Sequence, residues 1–196
     1  MKRSARKILI VLAYLALALG LCGCSLETSA ENLFTLPQVP VEYTGLANTL
    51  NTYLESGYEY ITPSSGNNIQ SLQMIDMDGD GEKEAVAFFR HTADDNPLKI
   101  LFFREENGTF SLYSTIESGG TSIDSVSFLD FNGDGRLEVV VGWRVSTEVQ
   151  TVAVYELVPN QVNMLMQSGY LRYVVDDLDS DGWFDLLLIR SEAEGG

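Results

Sequence analysis

Cysteine is nearly absent from this chain: Cys22 and Cys24 stand two positions apart near the start, and no other follows in 196 residues. No disulfide can staple the rest, so its stability has to come from an apolar core, bound metal, or both. Histidine is scarcer still. A Ser–His–Asp or Cys–His mechanism would have to rest on His91 alone, and no G-x-S-x-G turn accompanies it. Positive charge is also short, with 12 Lys and Arg against 28 Asp and Glu for a net charge of −16. Four of the twelve (Lys2, Arg3, Arg6 and Lys7) fall in the first seven positions, so beyond residue 23 eight basic residues face 28 acidic ones, a balance of −20. Nucleic-acid binding is excluded, because phosphate contacts need a basic surface. Glycine-rich phosphate loops and dinucleotide fingerprints are missing as well. What remains is globular in composition: 45% hydrophobic, 10% aromatic and 20% charged, with length for one moderate domain.

Residues 1–23 read as an export signal. A basic start precedes an apolar run from Ile8 to Leu21, too short for a membrane span of about 20 residues and suited to a signal-peptide core. The run ends in Leu21, Cys22, Gly23 and Cys24, which resembles the bacterial lipobox. That resemblance implies a lipidated Cys24 at the mature N-terminus, anchored to the outer face of the cell membrane or to the outer membrane. Cys22 fits less well, because Leu21 would stand at its −1 position. A plain signal peptide or an uncleaved anchor is the alternative. Residues 24–41, with Glu, Ser, Thr and two Pro, read as a tether.

The strongest signal is an internal repeat. Its first copy sets Asp76, Asp78, Asp80, Gly81, Glu82 and Glu84 in nine residues. The second sets Asp130, Asn132, Asp134, Gly135, Arg136 and Glu138. The third sets Asp177, Asp179, Asp181, Gly182, Trp183 and Asp185. All follow D-x-[DN]-x-D-G-x-x-[DE], and their first residues lie 54 and 47 positions apart. Calcium is a hard cation that takes six to eight oxygen ligands. Side chains at positions 1, 3 and 5 converge on one ion when the backbone curls, and glycine at position 6 allows the turn. The carbonyl at position 7 (Glu82, Arg136, Trp183) and the carboxylate at position 9 complete the cage. Asn132 still offers an oxygen with one charge fewer. With no cation the crowded carboxylates repel one another. Three solvated Asp-Gly turns without metal are the bland alternative, and three copies in register argue against it.

An EF-hand shares the first five positions but needs a bidentate Glu at position 12 and helices on both sides. Position 12 here is Ala87, Val141 and Leu188. The flanks are short apolar runs: Leu72–Ile75, Val126–Leu129 and Leu171–Val175 before the loops, and Ala85–Phe89, Val139–Val141 and Leu186–Ile189 after them. These predict buried strands. With loops and flanks taken together, residues 68–196 resemble the FG-GAP/VCBS repeats of integrin-type calcium-binding β-propellers. In that family the loop joins consecutive strands of a blade. Glu84 and Glu138 depart from its commoner Asp at position 9.

Two further strands are predicted after the first loop, Leu98–Phe103 and Thr109–Thr115, joined by the hairpin signal Asn107-Gly108. The second unit repeats the plan with Val149–Tyr155 and Gln161–Met166, and the third stops after Leu186–Ile189. The expected fold is all-β, with about two and a half four-stranded propeller-like blades. Two and a half blades close no ring, because propellers have four to eight. The expectation is therefore that this is the front of a longer protein. Assembly with other copies, or an open sheet covered by the N-terminal segment, is the alternative. Ahead of the repeats, residues 42–67 form a helix and connector. Leu46, Leu50 and Leu54 at i, i+4 and i+8 predict one amphipathic helix packed on the sheet.

Catalysis finds little support. Eleven carboxylates stand at loop positions 1, 3, 5 and 9, where metal binding accounts for them. Asp94, Asp95, Glu105 and Glu106 read as solvated turns. Trp143 reads as core, while Trp183 is open to a sugar-stacking role. The expected function is a surface-anchored, calcium-binding module that recognises protein or glycan, and not an enzyme. The alternative is the non-catalytic portion of a cell-surface enzyme acting on polysaccharide.

Overall fold

The computed structural model describes residues 43–158 and 161–190; the expected signal peptide, Cys24 and most of the tether lie outside them. Among the described residues no helix is long and apolar enough to cross a membrane. Among those residues one helix, α1 (Thr44–Glu55), precedes eleven strands, and every strand pairing is antiparallel.

The first sheet holds β1 (Glu59–Tyr60), β2 (Leu72–Ile75), β3 (Glu84–Arg90), β4 (Leu98–Glu106) and β5 (Thr109–Ser118). Its outer edge is split. β2 pairs with one end of β3 (Ile75 opposite Glu84), and β1 pairs with the other (Tyr60 opposite Phe89). The expected four-stranded blade is thus present with its first strand in two pieces. β4 turns into β5 through Asn107 (φ 54°) and Gly108 (φ 78°), two left-handed residues in a row, as a tight right-twisted hairpin demands. The second sheet runs β6 (Ser122–Leu129), β7 (Glu138–Arg144), β8 (Gln150–Val158) and β9 (Gln161–Gly169) in that order. A hairpin of β10 (Arg172–Asp176) and β11 (Asp185–Ile189) follows. The fold is all-β with propeller-like blades.

The side-chain alternation of the central strands shows how these layers stack. Along β3, Val86 and Phe88 face the second sheet, while Ala85, Ala87 and Phe89 face the opposite way. Along β4, Ile100 and Phe102 join the first set and Leu101 and Phe103 the second. β3 and most of β4 are buried on both faces, which is why they read as continuous apolar runs. Val139, Val141 and Trp143 of β7 with Ala153, Tyr155 and Leu157 of β8 complete the interface between sheets. Val140 and Val152 point away, toward Tyr173, Val175, Leu186 and Leu188 of the hairpin.

α1 covers the free face of the first sheet. Leu46 and Leu50 are buried among Ala85, Phe89, Leu101 and Phe103, with Leu54 packed alongside. The Thr49 hydroxyl donates to the Phe110 carbonyl at 2.9 Å. Among the described residues nothing comparable covers the far hairpin, where Val174, Leu187 and Ile189 are exposed.

Candidate metal-binding loops

Each repeat closes the hairpin between the first and second strands of its unit. In the first, Asp76 follows β2 directly and Glu84 opens β3 in register with Ile75. Glu138 opens β7 opposite Leu129, and Asp185 opens β11 opposite Asp176. Position 9 is thus held by a strand ladder, and positions 1 to 8 have to curl back to meet it.

Position 1 organises that curl. The two oxygens of Asp76 accept from the N–H groups of Gly79 (2.8 Å) and Gly81 (3.0 Å). Asp130 does the same for Gly133 (2.7 Å) and Gly135 (3.0 Å). Asp177 accepts from Asp181 and Gly182. Position 5 accepts from the position-7 N–H in all three loops, through Asp80, Asp134 and Asp181. Position 9 accepts from the N–H of position 2, at Met77 (2.9 Å), Phe131 (2.8 Å) and Leu178 (3.1 Å). Among the described residues the carbonyls of Glu82, Arg136 and Trp183 accept no hydrogen bond from within their loops.

In the first loop, one carboxylate oxygen from each of Asp76, Asp78 and Glu84 lies within 4.8 Å of the other two. Asp177, Asp179 and Asp185 meet the same condition in the third. Asp80 and Asp181 fall outside these two groupings. The second loop has three acids, Asp130, Asp134 and Glu138, and they do not meet that condition. There the Asn132 amide NH2 donates to Asp134 and Glu138, and its oxygen accepts from the Asp134 N–H.

Glu84 and Glu138 are almost fully buried. Burial raises both carboxyls above the ordinary range, against the opposing N–H bonds from Met77 and Phe131. Neighbouring carboxylates add to the rise, Asp78 on Glu84 and Asp134 and Asp130 on Glu138. These are acids held in a place that favours neutrality unless a cation arrives. Among the described residues two buried side-chain atoms have no hydrogen-bond partner, Asp78 Oδ1 in the first loop and His91 Nδ1 beside Asp94. A calcium ion, which binds carboxylate oxygens, fits an unpaired oxygen beside two further acids.

The loops also touch one another. The Leu137 N–H of the second donates to the Met77 carbonyl of the first at 2.9 Å. A Cβ on Gly79 would stand 2.5 Å from the Gly135 carbonyl oxygen, and one on Gly133 would stand 2.1 Å from the Trp183 ring. The equivalent position of the third loop is Ser180 at φ 62°. Position 4 is glycine where the next loop presses on it. Trp183, left open by the sequence, lays its ring on Gly133 with about half its surface exposed.

Residues that sequence reasoning missed sit around this frame. Arg104 donates through Nε to Glu84 Oε1 at 3.1 Å and through Nη2 to Asp78 Oδ2, with its guanidinium 4.3 Å from the Tyr113 ring centre. Its Cα neighbours belong to β4, as do Glu105 and Glu106, which therefore lie in a strand and not in a turn. Elsewhere Asp124 ties the units together. It accepts from Arg144 (3.0 Å) and Tyr170 (3.4 Å), while the neighbouring Ser125 hydroxyl shares a 2.6 Å bond with Tyr173. The single histidine stacks on Tyr58 at 4.4 Å and faces Asp94.

The FG-GAP-like repeat family matches residues 76–141, from the first Asp of the first loop to the strand after the second. This chain carries FG-GAP-like repeat sequence. No curated protein and no solved structure matches it. The FG-GAP-like stretch spans the two loops that share the Met77–Leu137 bond, together with all the strands between them. A repeat of this kind suggests a binding or scaffold module. The third loop, outside the matched residues, keeps the position 5 and 9 hydrogen bonds and the bond from position 6 to position 1. Its Asp177 takes the second N–H from Asp181 at position 5, where the other loops use position 4.

Proposed function

We propose that the chain is a membrane-anchored, non-catalytic binding or scaffold module whose loops take up calcium to hold its blades in register. The observation that carries the metal reading is Asp78 Oδ1, buried without a partner in a loop that also gathers Asp76 and Glu84. Asp76, Asp78, Asp80 and Glu84 would hold the ion in the first loop with the Glu82 carbonyl. Asp130, Asn132, Asp134 and Glu138 with the Arg136 carbonyl would serve the second. Asp177, Asp179, Asp181 and Asp185 with the Trp183 carbonyl would serve the third. The ion would supply charge neutralisation and cross-linking of oxygens, with no chemistry of its own. A non-catalytic role is supported by His91, which stacks on Tyr58 and faces Asp94, and by the eleven carboxylates that stand at loop positions 1, 3, 5 and 9.

Equilibrium dialysis of the full chain against calcium tests the metal reading. Saturable binding is expected with a dissociation constant on the order of 0.1–1 mM, as in extracellular modules. Magnesium should compete poorly, because it demands a smaller octahedral cage and gives up water reluctantly. Asp76→Ala should remove one ion, since position 1 both binds and shapes the loop. No saturable uptake up to about 10 mM calcium, well above that range, would sink the reading.

Anchoring rests on the sequence pattern ending at Cys24. Cys24→Ser is expected to move the protein from the membrane pellet to the soluble fraction, and a variant that stays in the pellet would count against lipidation there.

A further inference from the structure

The loop motif is repeated, but the strand lying across from its last ligand is not. In the first sheet, Ala85 of β3 pairs with Phe103 of β4. Continuing that register by one residue sets Glu84, at loop position 9, opposite Arg104. In the second sheet Val139 of β7 pairs with Tyr155 of β8. The same step sets Glu138 opposite Glu156. One structural position, on the third strand of the blade and facing the buried position-9 carboxylate, therefore carries a cation in one unit and an anion in the next.

Arg104 is bonded to the loop it faces, whereas Glu156 acts on its loop through charge alone. Arg104 bonds Glu84 Oε1 and Asp78 Oδ2, leaving Asp78 Oδ1 bare, and Tyr113 covers the guanidinium. Glu156 is held by Asn163 Nδ2 at 3.0 Å and adds its negative charge to the field at Glu138. The loop residues themselves vary in the opposite sense. The first loop has Asp78 at position 3 where the second has the neutral Asn132. Counting loop motif alone, the first would bind a cation more tightly, with four ligand carboxylates against three. Adding the facing residue reverses the order, because Arg104 cancels one charge in the first and Glu156 restores one in the second.

We propose that this third-strand position sets the calcium affinity of its loop, Arg104 acting as a tethered cation that weakens the first site and Glu156 as an added anion that strengthens the second. Both are positioning residues and not ligands. The inference rests on the calcium reading above and adds a ranking that the repeat motif by itself would give the other way round. A divalent ion entering the first loop has to share Asp78 and Glu84 with a guanidinium already bonded to them. Entry into the second meets no bonded cation, only the neutral Asn132 amide on Asp134 and Glu138. Affinity in oxygen cages follows the count of ligand charges and the rigidity of the cage, and a charge within a few ångströms of a half-buried site acts with little screening.

Calcium titration calorimetry on the full chain, with Arg104→Gln, Arg104→Lys and Glu156→Gln, tests this. Arg104→Gln is expected to tighten one binding step by about tenfold, the effect of removing one nearby charge from a partly screened site. Arg104→Lys, which keeps the charge, should stay within about threefold of the parent. Glu156→Gln should weaken a different step by about tenfold. Thermal unfolding in chelator gives a second readout. Arg104→Gln should lower the metal-free melting temperature, because Glu84 and Asp78 lose their only cation, and should recover more on adding calcium than the parent does. Unchanged constants in both neutral variants would overturn the inference while leaving calcium binding intact. Weaker binding in Arg104→Gln would also overturn it, and would make Arg104 a support for the ligands. A parent chain that takes up no calcium would bring down the calcium reading itself, and this inference with it.

Discussion

Trp143→Ala is expected to destabilise the protein by about 3–5 kcal/mol, the range for deleting a large buried aromatic from a packed core. The residue sits on β7 at 1% exposure and is the largest fully buried side chain in the interface between the two sheets. Its environment is shared by β3, β4, β7 and β8, the strands that are covered on both faces. No single sheet can close over the gap, because each is fixed by its own ladder and by contacts on its other face. Trp143 Nε1 also donates to the Tyr155 hydroxyl at 3.2 Å, and its loss would leave a polar atom in an apolar layer. Native stabilities are about 5–15 kcal/mol, so this one change removes a large share of the total. For a chain of this size the melting temperature should fall on the order of 10 °C. Val145→Ala, two residues on and 44% exposed, should change stability by less than about 0.5 kcal/mol. Paired thermal unfolding curves in excess calcium would measure the contrast. A Trp143→Ala variant no weaker than Val145→Ala would mean that the two sheets do not share this core.

How much of this was readable beforehand varies with the range of the interaction. The strands flanking the loops were legible because position 1 and position 9 bracket a tight hairpin, and the apolar runs outside them have nowhere to go but into a sheet. α1 was legible from Leu46, Leu50 and Leu54, and its register on the sheet follows that stripe. Strand ends were less so. β6 begins at Ser122, not Val126, and an irregular register between Ile123 and Ser125 breaks the period-two pattern that would have revealed it. β9 runs on to Gly169 through residues with little apolar character, because its ladder with β8 is enough to hold them. β1 is two residues long and exists only because β3 is longer than β2 and leaves edge positions to be paired. The fifteen candidate loop positions came from spacing, and the structure gathers three acids in the first loop and three in the third. Arg104 could not be found that way. Its role depends on which residue of β4 faces Glu84, and that register is set by the turn from His91 to Pro97 and by packing on both faces of the sheet. The same limit hid Glu156, Asp124 and the contact between Trp183 and Gly133.

Calcium should raise the melting temperature of the protein by at least several degrees over its value in chelator, and the increment should shrink on acidification. Ligand binding to the native state alone stabilises by RT ln(1 + [L]/Kd). At about 10 mM calcium and dissociation constants of about 0.1–1 mM, each filled loop contributes roughly 1.4–2.7 kcal/mol. At about 2–4 °C per kcal/mol for a domain of this length, even one loop gives a measurable rise, and three give one on the order of 10 °C or more. The pH dependence follows from Glu84 and Glu138, whose carboxyls are raised by burial. A carboxyl raised in the folded state adds stability that is present below its unfolded value near 4.5 and is lost as pH rises through the higher folded value. In chelator, therefore, these two groups favour mild acid and oppose folding at neutral pH. Calcium reverses their preference, since it binds the ionised form and neutralises it in place. Glu117, whose carboxyl is lowered by the Lys99 ammonium bonded to it, works the other way in both buffers and cancels from the difference between them. The quantity to measure is that difference: the melting temperature in calcium minus that in chelator, at pH 7.5 and again near pH 5. A gap that is wide at pH 7.5 and narrower near pH 5 is the expected result. A gap of equal width at both would mean that calcium acts away from the buried position-9 carboxylates, and no gap at either would mean that the loops hold the blades together without it.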